Sequence, residues 1–67
     1  MNYKKLIKDL RERLILSQED FAKLLEVSFS TVNRWETGKY EPTIKAKRKI
    51  VDLCINNNID IEKYRGN

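Results

Sequence analysis

Four polar side chains at helical spacing carry the clearest chemistry in this sequence. They occupy positions i, i+3, i+4 and i+7, as Ser30, Asn33, Arg34 and Thr37. This spacing places them on one side of a helix, with Val32 on the opposite side. Hydroxyl, amide and guanidinium groups donate and accept hydrogen bonds, and only one of the four is charged. The sequence therefore predicts a helix with a buried apolar face and an exposed polar face that can bind a ligand.

The groups that most enzymes use are missing from the chain. It has no histidine, which is the commonest general base and metal ligand, and only two glycines. It contains no phosphate-binding glycine loop and no serine elbow motif. Cys54 is the only cysteine and lies among apolar residues, so we predict a small core residue rather than a reactive thiol. We expect neither catalysis nor a cofactor or metal site.

The length of the chain predicts a single domain over residues 1–67. Such a short chain buries only about 60% of its unfolded surface, so its stability is marginal unless an oligomer helps. No apolar run is long enough to span a bilayer, and the N-terminus lacks a signal-peptide core. These features lead us to expect a cytoplasmic protein without membrane partners.

The net charge of +4 is concentrated in one part of the chain. Residues 34–49 hold six basic and two acidic side chains, whereas residues 1–33 have a net charge of +1 and residues 50–67 of −1. The cluster is either an ordinary solvated helix start or a surface that contacts phosphates. Its position directly after the polar-faced helix favours the phosphate-contacting surface.

Apolar periodicity and capping residues predict the helices that position the polar face. No stretch alternates like a strand, so we predict an all-α bundle of four to five short helices. Gly38 stops the third helix because glycine readily adopts a positive φ. The predicted helices cover residues 2–14, 17–25, 28–38 and 43–57 and a last short turn, with caps at Asn2, Ser17, Ser28, Thr43 and Asp60.

Residues 17–43, SQEDFAKLLEVSFSTVNRWETGKYEPT, resemble the phage lambda repressor and Cro family, also called the XRE-type helix-turn-helix family. The matching features are Ser-Gln at the start of the second helix, Phe-Ala three residues on, Val-Ser before the third helix, and Arg-Trp-Glu-Thr-Gly-Lys at its end. With the first and fourth helices, the resemblance covers nearly the whole chain. It implies a lambda-repressor-like fold with its helix-turn-helix at residues 17–38. The helix at 29–36 would then lie in the major groove of double-stranded DNA.

The resemblance assigns base-facing positions to Phe29, Ser30, Asn33 and Arg34. The planar fork of Arg34 can bond guanine O6 and N7 together. Asn33 either reads an adenine or orients a neighbouring side chain, and Ser30 discriminates weakly between bases. Phe29 either presses on a thymine methyl group or packs against the second helix, and the sequence leaves both open.

Further positions match the family's contacts with the DNA backbone. Gln18, at the first position of the second helix, is expected to contact a phosphate and to brace the third helix. The loop after the third helix and the basic cluster add candidate phosphate contacts at Thr37, Lys39, Tyr40 and Lys45. The resemblance also implies a structural ion pair between Arg11 and Glu36.

The sequence departs from the family at two connections where glycine is usual. Glu26 lies in the turn between the second and third helices, and we predict that Glu26→Gly stabilises the fold if this residue keeps a positive φ. Ile15 lies after the first helix. A β-branched residue tolerates a positive φ poorly, so we expect the connection at Ile15 to have a different shape.

The resemblance implies a sequence-specific DNA-binding transcriptional regulator, a repressor, acting as a dimer on a two-fold symmetric operator. No separate ligand domain is visible, so we expect no small-molecule effector. Alternatives are an antitoxin or another protein-interaction module with the same fold, or a restriction-modification controller. The candidate dimer contacts, which serve equally well to complete a monomer core, are Ile55, Ile59, Ile61 and Tyr64.

Overall fold

The computed structural model describes residues 1–66 and contains four α-helices and a short 3₁₀ helix. Within these residues no β-strand is present. The predicted all-α architecture is therefore confirmed, and its fifth element is a 3₁₀ helix. The helices are α1 (Tyr3–Arg13), α2 (Gln18–Leu25), α3 (Phe29–Glu36), α4 (Ile44–Asn56) and the 3₁₀ helix (Ile61–Tyr64).

Each helix begins at the cap that the sequence predicts. Ser17 Oγ accepts a hydrogen bond from the backbone N–H of Asp20 at 3.0 Å, and Ser28 Oγ accepts one from Thr31 at 3.1 Å. Such bonds satisfy N–H groups that have no partner within the helix. The same arrangement is found at the other three predicted caps, Asn2, Thr43 and Asp60.

All four α-helices end in the same way, with one residue in the left-handed region. After α1, the N–H of Ile15 donates to Glu12 O at 3.1 Å and the N–H of Leu16 donates to Arg11 O at 3.0 Å. This pair of bonds defines the Schellman motif, which usually places glycine at the left-handed position. Here the left-handed residues are Ile15 (φ 57°), Glu26 (φ 60°), Gly38 (φ 79°) and Asn58 (φ 57°).

The expectation that Ile15 avoids a positive φ is therefore wrong, whereas the positive φ at Glu26 is confirmed. Leu16, which follows Ile15, is partly buried against the core and directly precedes the Ser17 cap. Its partial burial and the two terminal hydrogen bonds act against the cost of a left-handed conformation, which is about 1–2 kcal/mol. The side chain of Ile15 itself gains nothing from folding, because it is 90% exposed.

The core draws side chains from every helix. Trp35 of α3 is buried against it, as is Phe21 of α2. Burial raises the pKa of the Cys54 thiol, as expected of a core cysteine. The residues of this hydrophobic core are Leu6, Ile7, Leu10, Phe21, Ala22, Leu25, Val32, Trp35, Ala46, Ile50, Cys54 and Tyr64.

The 3₁₀ helix is held on α1 by Tyr64. The backbone N–H of Asn2 donates to Tyr64 O at 2.7 Å, and Tyr64 Oη donates to Asp9 Oδ2 at 2.7 Å. Burial and this bond raise the pKa of Tyr64 to about 12. Of the two roles that the sequence left open for Tyr64, the structure therefore assigns the monomer core, because a buried side chain offers no surface to a second chain.

Candidate nucleic-acid interface

The outer side of α3 carries the residues predicted to face DNA bases. Ser30, Asn33 and Arg34 are exposed, while Val32 and Trp35 are buried on the opposite side. The exposed side presents one hydroxyl, one amide and one guanidinium group in a row along the helix. The arrangement provides hydrogen-bond donors and acceptors on a rigid helix that the core holds in place.

Phe29 is the first residue of α3 and is 50% exposed. About half of the surface of this residue is covered by the protein, so packing against the chain accounts for part of it. The other half stands beside the polar face and offers apolar contact area. Neither role proposed for Phe29 is removed by its position.

Glu36 is the acidic end of α3, and three donors hold it. Arg11 Nε donates to Oε2 at 2.8 Å and Arg11 Nη2 donates to Oε1 at 3.1 Å. Gln18 Nε2 also donates to Oε1, at 3.1 Å. Arg11 Nη1 donates to the backbone oxygen of Leu16 at 3.0 Å. The pair therefore links α1, the connection before α2, α2 itself and α3.

The charge of Glu36 is stabilised at this junction. Burial alone would raise its pKa, but hydrogen bonds from Arg11 and Gln18 and the positive charge of Arg11 outweigh that effect. The pKa of Glu36 therefore lies below its ordinary value of 4.5. The same contact raises the pKa of Arg11. Glu36 therefore stays ionised, and Arg11 balances its negative charge beside a surface that is a candidate for binding a polyanion.

Gln18 connects this ion pair to the polar face. Its Nε2 donates to Glu36, while its Oε1 accepts a hydrogen bond from Asn33 Nδ2 at 3.5 Å. The amide of Gln18 is thus held by α3 at both of its ends. Gln18 is the first residue of α2, where the backbone N–H groups have no acceptor within the helix.

The loop after α3 folds back onto the end of the helix. Gly38 adopts a φ of 79°, and the N–H of Lys39 donates to Arg34 O at 3.0 Å. Thr37 Oγ1 donates to the same carbonyl at 3.2 Å. As a result, Arg34 Cζ lies 5.7 Å from the ring centroid of Tyr40. The exposed residues of this loop lie beside the outer face of α3.

The basic residues of α4 divide into paired and unpaired groups. Lys47 Nζ lies 3.1 Å from Glu41 Oε1 and 5.0 Å from the ring centroid of Tyr3. Lys49 Nζ lies 3.1 Å from Glu26 Oε1 and lowers the pKa of that carboxyl group. Lys45 is exposed and has no carboxylate within 4 Å among the described residues. Lys45 is accordingly the better placed of these lysines for an external anion.

Two contacts at this surface were not predicted from the sequence, the Lys49–Glu26 pair and the contact of Arg34 with Tyr40. The first joins residues 23 positions apart, and its distance depends on how the helices cross. The second had a local signal, because a glycine stop at position 38 turns the following residues back toward the final turn of the helix. The resemblance implied that Gln18 braces the third helix, and the structure shows which residues of that helix it contacts, Glu36 and Asn33.

No helix within residues 1–66 is long and apolar enough to cross a membrane. Over the same residues, no three histidine, cysteine, aspartate or glutamate side chains are grouped closely enough to hold one metal ion.

A family model described as helix-turn-helix matches residues 7–54 of the chain. These residues include α2 and α3 in full, α1 from Ile7 onward and α4 up to Cys54. No curated protein and no solved structure matches the chain. The match spans the ion pair, the polar face of α3 and the loop that follows it.

Proposed function

The chain belongs to the lambda-repressor-like (XRE-type) helix-turn-helix family, a DNA-binding family, and on that basis we propose that it is a sequence-specific transcriptional regulator that binds double-stranded DNA through α3. The observation that supports this most directly is the exposed polar face of α3 above buried Val32 and Trp35. An α-helix of this kind fits the major groove, where each base pair presents a distinct set of donors and acceptors. We further propose that residues 1–67 act as one DNA-binding domain.

Arg34 and Asn33 supply most of the proposed sequence discrimination. The guanidinium of Arg34 can donate two hydrogen bonds in its plane to guanine O6 and N7. An amide nitrogen carries two hydrogens, so Asn33 Nδ2 can donate to Gln18 and to adenine N7 at the same time. Asn33 Oδ1 then accepts from adenine N6. In this proposal Gln18 orients Asn33, and Asn33 both reads a base and is braced.

Ser30 and Phe29 have weaker proposed roles at the same surface. The hydroxyl of Ser30 both donates and accepts, so it is compatible with several bases. The exposed half of Phe29 is suited to contact with a thymine methyl group.

The proposed phosphate contacts surround the base-facing residues. The N-terminus of α2 at Gln18 offers free backbone N–H groups and the positive end of the helix dipole. Lys39, Tyr40 and Lys45 are exposed. Thr37 can join them only if its hydroxyl gives up the bond to Arg34 O. These contacts fix orientation and supply affinity that depends on salt, without reading sequence.

We propose a homodimer on a two-fold symmetric operator, because one such domain has a small contact area. Half-site centres would then lie about one helical turn, ~10 base pairs, apart. Ile55 supports this best, since its side chain is 61% exposed on α4. Ile59 and Ile61 are partly buried against the core and offer less free surface. Bound across a promoter, such a dimer would act as a repressor by occupying the DNA.

Selection of bound sequences from random DNA tests the proposal. We expect a symmetric pair of half-sites to be enriched at physiological salt. Arg34→Ala should cost roughly 1–3 kcal/mol of binding free energy and relax one base position in each half-site. Binding that enriches no sequence, and that weakens equally for all DNA as salt rises, contradicts a sequence-specific reader.

A further inference from the structure

We propose that Tyr40 is a positioning residue, whose ring holds the Arg34 guanidinium where α3 presents it to one base pair. The inference rests on the proposed function and adds a specificity-determining residue outside the helix that reads the bases. It gives Tyr40 a different role from the phosphate contact that the resemblance assigns to this position. The two roles use different parts of the side chain, since positioning requires the ring and a phosphate contact requires the hydroxyl.

The contact itself is the first support. Arg34 Cζ lies 5.7 Å from the centroid of the Tyr40 ring, within the roughly 6 Å over which a cation and an aromatic face attract. Among residues 1–66, Arg34 has no carboxylate within 4 Å, so the ring is the charged group's closest identified partner. The hydroxyl of Tyr40 makes no hydrogen bond to any of these residues. The ring, and not the hydroxyl, is therefore the part of Tyr40 engaged by the protein.

The backbone after α3 restrains the position of Tyr40 relative to Arg34. The carbonyl of Arg34 accepts hydrogen bonds from the N–H of Lys39 at 3.0 Å and from Thr37 Oγ1 at 3.2 Å. Gly38 provides the left-handed turn that lets the chain reverse there. Tyr40 is therefore tied, through the residue directly before it, to the backbone of the arginine that its ring contacts.

The far side of the loop is anchored as well. Pro42 is buried and has a fixed φ, which limits how the chain can leave the loop. Glu41 Oε1 lies 3.1 Å from Lys47 Nζ on α4. Tyr40 thus lies between two attachment points, although its own side chain is 62% exposed. This combination of a restrained backbone and an accessible ring suits a side chain that supports a neighbour at a binding surface.

An aromatic partner suits an arginine that must bind something else. A carboxylate partner would accept hydrogen bonds from the in-plane N–H donors, which are the donors that guanine O6 and N7 require. An aromatic face attracts the positive charge without accepting those hydrogen bonds. The contact therefore restricts a flexible side chain before DNA arrives and leaves its fork free. Ordering the side chain in advance reduces what must be ordered on binding.

Matched variants at position 40 separate the ring from the hydroxyl. Tyr40→Phe keeps the ring and removes the hydroxyl, whereas Tyr40→Leu removes both. The DNA-binding affinity of each variant is measured on three DNAs. These are the sequence selected by the wild-type chain, the same sequence changed at the base pair that Arg34→Ala relaxes, and unrelated DNA. Circular dichroism checks that both variants are folded, which we expect because the side chain is exposed. Chemical shifts of the Arg34 side-chain protons report ring contact in the DNA-free protein.

We expect Tyr40→Phe to keep the discrimination of the wild-type chain and the ring-shifted Arg34 resonances. Tyr40→Leu should lose those shifts and discriminate roughly two- to fivefold less per half-site at that base pair, the range an exposed cation–π contact supports. In an Arg34→Ala background the same leucine substitution should have no further effect on discrimination.

Three results overturn the role of Tyr40. One is that Tyr40→Phe and Tyr40→Leu weaken binding equally on all DNA, which indicates a phosphate contact through the hydroxyl. Another is unchanged discrimination in Tyr40→Leu, and the third is the absence of ring-shifted Arg34 resonances in the wild-type chain. Failure of the wild-type chain to enrich any sequence contradicts instead the proposed function, and is visible before any variant is made.

Discussion

Arg11 and Glu36 join the first and third helices through two parallel hydrogen bonds of 2.8 and 3.1 Å, across 25 positions of sequence. Glu36 in turn accepts from Gln18, and Gln18 accepts from Asn33. Gln18 therefore connects Asn33, on the outer face of α3, to an ion pair that Asn33 does not touch. In the proposed function, this series of contacts helps to orient a side chain that reads bases.

The ion pair gives the first prediction. Arg11→Ala leaves the carboxylate of Glu36 mostly buried without its main partner, because the Glu36 side chain is 7% exposed. We expect the free energy of unfolding to fall by about 3 kcal/mol, at the lower end for a broken buried pair because Arg11 remains partly exposed. Urea unfolding measures the change. Arg13→Ala is the matched control, since Arg13 is an exposed arginine on the same helix and should change stability by less than about 0.5 kcal/mol. Equal effects of the two substitutions would show that the pair contributes nothing specific.

The second prediction concerns pH. The pKa of Glu36 is lowered in the folded protein, so its contribution to stability is present above its unfolded pKa of about 4.5 and is lost as pH falls through the folded value. Glu36→Gln removes the charge and keeps the shape. The stability gap between the wild-type chain and this variant should be largest near pH 7 and should shrink below about pH 4.5. Urea unfolding at a series of pH values measures it. A gap that stays constant from pH 7 to pH 3 would rule out ionised Glu36 as the stabilising group.

Most of the fold follows from local sequence signals. Ser17 and Ser28 predict the starts of α2 and α3 because each has a side-chain oxygen that its helix needs. Gly38 predicts the end of α3 for a similar local reason. Ile15 is the exception, because its left-handed conformation goes against its own preference and accompanies the partial burial of Leu16 and the hydrogen bonds that end α1. A rule based on the backbone preference of one residue fails where the packing of its neighbour contributes more to the free energy of folding.

Ile15 gives the third prediction. Asparagine adopts the left-handed conformation more readily than a β-branched residue does. Because the Ile15 side chain is almost wholly exposed, Ile15→Asn loses little burial and should raise the free energy of unfolding by about 1 kcal/mol. For a domain of this size the midpoint of thermal unfolding should rise by roughly 4–8 °C. Ile15→Val keeps the β-branch and should leave the midpoint nearly unchanged. A lower midpoint for Ile15→Asn would indicate that the exposed isoleucine stabilises the chain through contacts of its own.

The site is predictable from the sequence to a smaller extent. Helical spacing alone places Ser30, Asn33 and Arg34 on the outer side of α3, and the structure has them there. Spacing says nothing about which of these side chains are held, because their partners come from other elements. Gln18 reaches Asn33 only through the packing of α2 on α3, and Tyr40 reaches Arg34 only because the loop reverses.

The fourth prediction distinguishes two nearby lysines of α4, Lys45 and Lys47. Lys45 is exposed and unpaired among the described residues, whereas Lys47 is partly buried, pairs with Glu41 and lies over the ring of Tyr3. Only a cation free of internal partners is available to neutralise a phosphate and release its counterion. Lys45→Ala should therefore weaken binding equally for specific and unrelated DNA. It should also reduce the slope of log affinity against log salt by about 0.9 for each phosphate that is no longer neutralised.

Lys47→Ala is the control and should change the slope much less, because Glu41 already neutralises that charge. Fluorescence anisotropy over a range of salt concentrations measures both slopes. If the two substitutions change the slope equally, ion pairing within the protein does not decide which lysines meet DNA. If Lys45→Ala leaves it unchanged, the start of α4 lies away from the DNA backbone.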